Sequence, residues 1–318
     1  MRRGILPRAP PWNAALLPGK GTLQRRRRRF GLLCLAPALA VLAGILAYPI
    51  GDSLWLSLHQ VDLANGIFEK IYVGAANYRD LFAAEGLRAA LLRSAYFAFV
   101  EVIAVVGIGL ATALLLDHPL GRSGIFRVML IIPWAVAPVA NAVLWKWIFN
   151  ANYGILNSLL GQLGIIDFNI TWLGTPGRAL NMLLVVDIWK SIPFIALLLL
   201  AGLQKIPAML YRAARLDGAN AWQQFRHITL PSLRASLAIA VILQTLWSFR
   251  VFDLVYVLTR GGPADGTVLL NYLAYRETFN FLHIGYGAAI ANLIFGLTFL
   301  LAFLYVWLLR PGGRVLPR

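Results

Sequence analysis

The feature that most constrains this chain is a set of six apolar runs, each close to the ~20 residues an α-helix needs to cross the hydrocarbon core of a bilayer. They cover Gly31 to Ile50, Ser94 to Leu116, Ile125 to Trp147, Ala179 to Leu203, Ala235 to Leu258 and Ile284 to Leu309. Lipid offers no partners to backbone polar groups, so runs of this kind are helical. Charged residues are only 13% of the 318 and hydrophobic ones 59%, too little polar surface to cover a soluble domain of this size. The expectation is an all-α integral membrane protein with six transmembrane helices, both termini lying on one side. Residues 1–29 then form a disordered basic tail, 30–310 the membrane domain, and 311–318 a short C-terminal tail.

The net charge of +16 is informative through its distribution. Nineteen Lys and Arg fall on the side of the termini and seven on the other, with Lys146, Lys190 and Arg250 inside the spans. Excess positive charge marks the cytoplasmic side, so both termini are expected there, with Arg25 to Arg29 as an anchor. No folded basic domain accompanies these arginines, which argues against nucleic acid as a partner. The lone Cys34 excludes an intrachain disulfide and a cysteine-rich metal site. His59, His118, His227 and His283 sit in four separate segments without ligand spacing. No Gly-rich loop ends in Lys-Ser or Lys-Thr, so if ATP is used another chain binds it.

One loop, residues 204–234, is long and patterned. Met209 to Asp217 reads as a short helix and Gly218 as the left-handed residue that ends it. Ala221 to Ile228 reads as a second helix, stopped by Pro231. Trp222, Phe225 and Ile228 recur at helical spacing, a stripe suited either to docking in a partner's groove or to packing back on the bundle.

The words of this loop are specific. Tyr211-Arg212-Ala213-Ala214-Arg215-Leu216-Asp217-Gly218-Ala219, followed by Phe225, Ile228, Leu230 and Pro231, resembles the Glu-Ala-Ala loop of binding-protein-dependent ABC importer permeases. Arg212 stands where that family usually has glutamate. Trp189-Lys190-Ser191-Ile192-Pro193-Phe194 and Phe252 to Pro263, which ends Gly261-Gly262-Pro263, are similar to the carbohydrate branch, of the maltose and glycerol-3-phosphate type. The resemblance implies a non-catalytic permease subunit in a bacterial inner membrane, paired with a second permease. It also implies two copies of an ATPase, which hold the ATP and Mg, and an extracytoplasmic solute-binding protein. This chain would bind no cofactor of its own. An ion-coupled secondary transporter and a permease for a non-sugar solute remain as other readings.

Ionisable groups at membrane depth are costly and mark functional candidates. Glu101, Asp187, Arg250 and Asp253, with Asn141 and Asn292, each lie about five to eight residues from the external end of their runs, which at ~1.5 Å per residue is one polar layer contributed by five spans. Lys190 lies deeper. Carboxylates and amides suit sugar hydroxyls, and Trp189 or Trp247 offers a ring face. The spacing also admits a scaffold, because Asp187 with Lys190 and Arg250 with Asp253 stand at i and i+3.

Overall fold

A computed structural model describes residues 20–64, 67–118 and 124–308 of the chain. The C-terminal tail, residues 1–19 of the expected N-terminal tail and Arg122 of one loop lie outside them. Two units are distinguished, one reaching to Asp52 and one starting at Ser53. The first helix, α1 (Lys20–Leu56), runs across that boundary and starts earlier than its apolar run, so residues 20–29 are helical where a disordered tail is expected. Its apolar part, Phe30–Leu56, is long enough to span a membrane.

From His59 the backbone leaves the helical pattern. Strands β1 (His59–Ala64) and β2 (Ile67–Tyr72) form an antiparallel hairpin with His59 opposite Tyr72, an addition to the all-helical expectation. Helix α2 (Ala76–Ala83) follows, and Asn77 donates its amide to the carbonyls of Ser57 and His59 at 2.8 and 3.0 Å.

The bundle is built on α3 (Glu85–Asp117) and α7 (Pro176–Leu203), which pack along each other. Each is apolar enough to span, as is α14 (Ile284–Leu308). Pro193 lies inside α7 without interrupting it. The run Ile125 to Trp147 is two helices, α4 (Gly124–Ala135) and α5 (Pro138–Ile148), bent by 92°. Pro138 opens α5, where its missing N–H is no loss, and the residue before a proline is turned away from helix. Helix α6 (Ile155–Gln162) then leads to α7.

After α7 come α8 (Ala208–Leu216) and α9 (Ala221–Gln224). A π-helical turn at Phe225–Thr229 then leads into α10 (Leu230–Ser232). Pro231 therefore opens a further turn and does not stop the helix. Helix α11 (Arg234–Ser248) leaves this segment at 67°. The fifth run is not one helix to Leu258: it breaks after Ser248 and resumes as α12 (Asp253–Leu258). Helix α13 (Leu270–Tyr275) precedes α14. Among the described residues four helices are long and apolar enough to span, or six elements if each bent pair is one span.

Two apolar clusters fill the second unit. One gathers Phe97, Leu183, Val186, Leu254, Leu270 and Ile290; the other gathers Val105, Ile195, Leu199, Leu233 and Ala240. Where α7 meets α11 the backbones approach closely, since a Cβ on Gly202 would strike the Ser236 hydroxyl and lie 2.9 Å from Leu233 Cδ2.

Candidate functional site: a polar layer and an exposed loop

A polar layer separates the two apolar clusters. On α3, Glu101 falls between Phe97 of one cluster and Val105 of the other; on α7, Asp187 falls between Val186 and Ile195. Glu101 is fully buried and accepts hydrogen bonds from Gln244 Nε2 at 2.5 Å and Ser248 Oγ at 2.6 Å. Burying a carboxyl without partners costs several kcal/mol, so these two donors from α11 are what make Glu101 tolerable in the bundle. Ser248 also donates to the carbonyl of Gln244.

A cavity of about 220 Å³ opens beside this layer. Glu101, Asn141, Asp187, Lys190, Trp247, Arg250 and Asp253 line it, together with Trp134, Ser191 and Phe252. Seven of the expected pathway residues are thus brought together, from α3, α5, α7 and the α11–α12 break. Asn141 is 2% exposed, yet its Oδ1 has no protein partner. An unpaired buried acceptor at a cavity wall is suited to a donor from a ligand or water.

Two expected residues lie elsewhere. Asn292 on α14 accepts from Ser53 Oγ at 3.0 Å and donates to the Ser53 carbonyl at 3.1 Å and Tyr78 Oη at 3.4 Å, so it locks the helix ends outside the cavity. The polar layer therefore draws on four runs, not five. Trp189 is on the outer side of α7 with its ring edge against Trp145, centroids 5.6 Å apart.

The i to i+3 pairs are not ion pairs within 4.0 Å. Lys190 instead donates to the carbonyls of Trp134, at 3.3 Å, and Val136. Pro138 has no N–H to offer the carbonyl four residues earlier, which is that of Trp134. The ammonium thus fills the hydrogen-bonding deficit at the α4–α5 bend. At the other break, Asn271 donates to the Phe249 carbonyl at 3.0 Å. Aromatic rings frame the cavity: Phe194 lies 5.6 Å from Trp134 and 5.1 Å from Trp247. Lys146 makes no ion pair within 4.0 Å and donates to the Val257 carbonyl at 3.2 Å.

Gln244, Ser248 and Trp134 escape a reading that looks for charge. The signal available is that Gln244 and Ser248 stand at i and i+4 in an apolar run, on one helix face.

The loop is built locally. Helix α8 ends at Leu216 with Asp217 as its C-cap, and Gly218 takes φ +80, a conformation that costs a side-chain-bearing residue about 1–2 kcal/mol. Asn220 caps α9 by accepting from the Gln223 backbone N–H at 2.9 Å, while Gln223 Oε1 accepts from the Asn220 N–H at 2.8 Å. This reciprocal box fixes the second helix without help from the bundle. A hydrogen bond of 2.9 Å between Tyr211 Oη and Thr229 Oγ1 ties the two halves. Trp222 stacks on Phe225, centroids 5.5 Å apart. Arg212, Ala213 and Asp217 are exposed with Trp222 and Leu230, whereas Ala214, Phe225, Ile228 and Pro231 are half-buried. The loop thus offers an ordered, partly apolar surface outside the bundle.

A bent-helix bundle with a pre-folded helical loop is the architecture of an importer permease, and residues 105–310 match the family described as binding-protein-dependent transport system inner membrane component. The chain belongs to that family. It is 39% identical over 286 residues to the trehalose/maltose transport system permease protein MalF of Thermococcus litoralis, covering 90% of this chain and 95% of the relative. It is 33% identical to the sulfoquinovosyl glycerol transport system permease protein SmoG of Agrobacterium fabrum, covering 89% and 91%. It is also 33% identical to the trehalose transport system permease protein SugA of Mycobacterium tuberculosis, covering 90% and 92%. In fold it is similar to a chain of a bacterial ABC transporter that imports the acidic polysaccharide alginate, with TM-score 0.74 at 18% identity, covering 90% of this chain and 98% of that one.

Proposed function

We propose that this permease forms half of the translocation pathway of an ATP-driven importer for a sugar or sugar-like solute. The observation that carries the reading is the presence in one chain of an exposed, self-capped loop and a polar, aromatic-framed cavity between two apolar cores. Three relatives named for sugar or sugar-glycerol transport support the solute class.

Sugar hydroxyls both donate and accept. Asn141 Oδ1 takes a donor, Asp187 and Asp253 take others, and Arg250 gives hydrogen bonds to ring or hydroxyl oxygens. Trp247 and Phe252 supply apolar ring faces. The chain has no catalytic residue in this account and binds no cofactor. ATP and Mg are held by two copies of a partner ATPase, and the other half of the pathway is a second permease. An extracytoplasmic binding protein delivers the solute; the similar alginate transporter has been captured with a substrate-bound periplasmic protein. Both termini and the loop of residues 204–234 face the cytoplasm.

Closure of the ATPase dimer on ATP moves α8 and α9 as one capped unit, through α10 into α11. Because Gln244 and Ser248 of α11 hold Glu101 of α3, the motion reaches the cavity wall. The test is uptake in proteoliposomes by the reconstituted complex. Solute enters only with binding protein, both permeases, the ATPase and internal ATP. Uptake by this chain alone, abolished by an ionophore, would overturn the reading.

A further inference from the structure

A second cleft, of about 600 Å³, lies at the other end of α11. Its wall changes character along α11. Arg226 of the π-helical turn and Arg234, the first residue of α11, are exposed on its wall together with Leu230; the half-buried Leu237 and Val241 continue the wall along α11, and Tyr305 of α14 also lines it. Seven helical residues separate Arg234 from Val241, a descent of ~10 Å. Thr245 Oγ1 and Tyr305 Oη, 3.1 Å apart, bridge α11 to α14 one turn deeper.

Both guanidinium-bearing residues are exposed, and neither makes an ion pair among the described residues. Two uncompensated cations on the wall of an apolar cleft, at the end of a membrane-spanning segment, match one chemistry: an anionic head above hydrocarbon. The C-terminal tail is a poor occupant on electrostatic grounds, since Arg310, Arg314 and Arg318 would add like charge to that wall.

We infer that this cleft binds an anionic glycerophospholipid, its phosphate held by Arg226 and Arg234 and an acyl chain lying along α11 between Leu237, Val241 and Tyr305. The inference takes from the proposed function only that α11 enters a membrane from this end. A lipid here contacts both the turn before α10 and the first turns of α11. It thereby ties the exposed loop to lipid composition.

The test reads lipid, not transport. The assembled complex, purified in mild detergent, is equilibrated with equal amounts of phosphatidylglycerol and phosphatidylethanolamine of matched chains and examined by native mass spectrometry. Wild type is expected to retain phosphatidylglycerol with about thirtyfold preference, the scale of two arginine contacts to an anionic head. That preference should vanish in the R226Q/R234Q double variant. Val241→Trp, which fills the apolar wall and keeps both arginines, should lower retention of both lipids. The same spectra report subunit composition, so loss of a partner is read apart from loss of lipid. Equal retention of the two lipids by wild type, a preference that survives in R226Q/R234Q, or wild-type retention of both lipids by Val241→Trp overturns the inference. Retention that rises when residues 309–318 are removed would give the cleft to the tail.

Discussion

The loop between α7 and α11 keeps large apolar side chains in the open, with Leu216 89% and Trp222 65% exposed, whereas the polar layer hides Glu101 completely and Asn141 to 2%. Their bonding differs in the same sense. The loop is held by contacts within its own segment, such as the Asn220–Gln223 box and the Tyr211–Thr229 bond, and the layer by contacts that span the sequence, Glu101 with Gln244 and Ser248. A surface that must be presented to a partner is best folded before the partner arrives, since ordering it on contact would cost affinity. A polar group inside a membrane bundle has the opposite need, because it is tolerable only when helices distant in sequence converge on it.

Each region therefore fails in its own way when altered, and the contrast can be broken. The largest effect is expected at Gly218. Nothing lies within 4 Å of a Cβ added there, so only backbone strain opposes a substitution. Gly218→Val should reduce uptake to background while the chain inserts normally, and Gly218→Asn, which tolerates a positive φ, should retain most of it. Equal uptake by the valine variant and wild type would deny the loop a coupling role.

Glu101→Leu comes next, and its effect is on stability. It strands Gln244 Nε2 in the bundle at about 1–3 kcal/mol, while Ser248 Oγ keeps the Gln244 carbonyl, and the loss is read as a lowered thermal midpoint of the purified complex. Glu101→Gln keeps an acceptor and should fall between. A midpoint unchanged by leucine would show that the layer is not a tie between α3 and α11.

Asn141→Leu separates pathway from scaffold. Its Oδ1 serves no protein group, so stability should hold while KM for solute rises by about two- to tenfold, the worth of one hydrogen bond at ~0.5–1.5 kcal/mol. A drop in stability with KM unchanged would make Asn141 structural. The smallest effect is expected from exchanging the charges of Arg250 and Asp253. They make no ion pair, so reversing both should not rescue either single variant in an uptake assay.

What could be read from the sequence follows the same division. The loop was legible because its geometry is contiguous: Gly218 after Asp217, and the Trp222 and Phe225 stripe, are local facts. Its detail was less so, since Pro231 at the start of α10 looks in sequence like a stop. Hydropathy located the apolar runs but not the bends. The run Ala235 to Leu258 carries Arg250 inside the break at Phe249–Phe252 but no proline or glycine to mark it, and Asn271, more than twenty residues away in sequence, supplies the missing hydrogen bond. Lys190 was visible as an intramembrane charge, but its partners are the carbonyls released at the α4–α5 bend, not Asp187. Asn292 shared the depth of the layer and not its direction, because depth follows from residue count whereas facing follows from packing. The β1–β2 hairpin gave no apolar run to detect.

Coupling requires the loop to be the surface through which a nucleotide-hydrolysing partner moves the bundle. A photoreactive residue placed at Trp222 of the intact complex, irradiated with and without ATP, tests this directly. The predicted result is an adduct to the ATPase subunit whose yield changes with nucleotide. Labelling of Trp222→Cys by a thiol reagent confined to the external face, or irradiation that yields no adduct to that subunit, would contradict it.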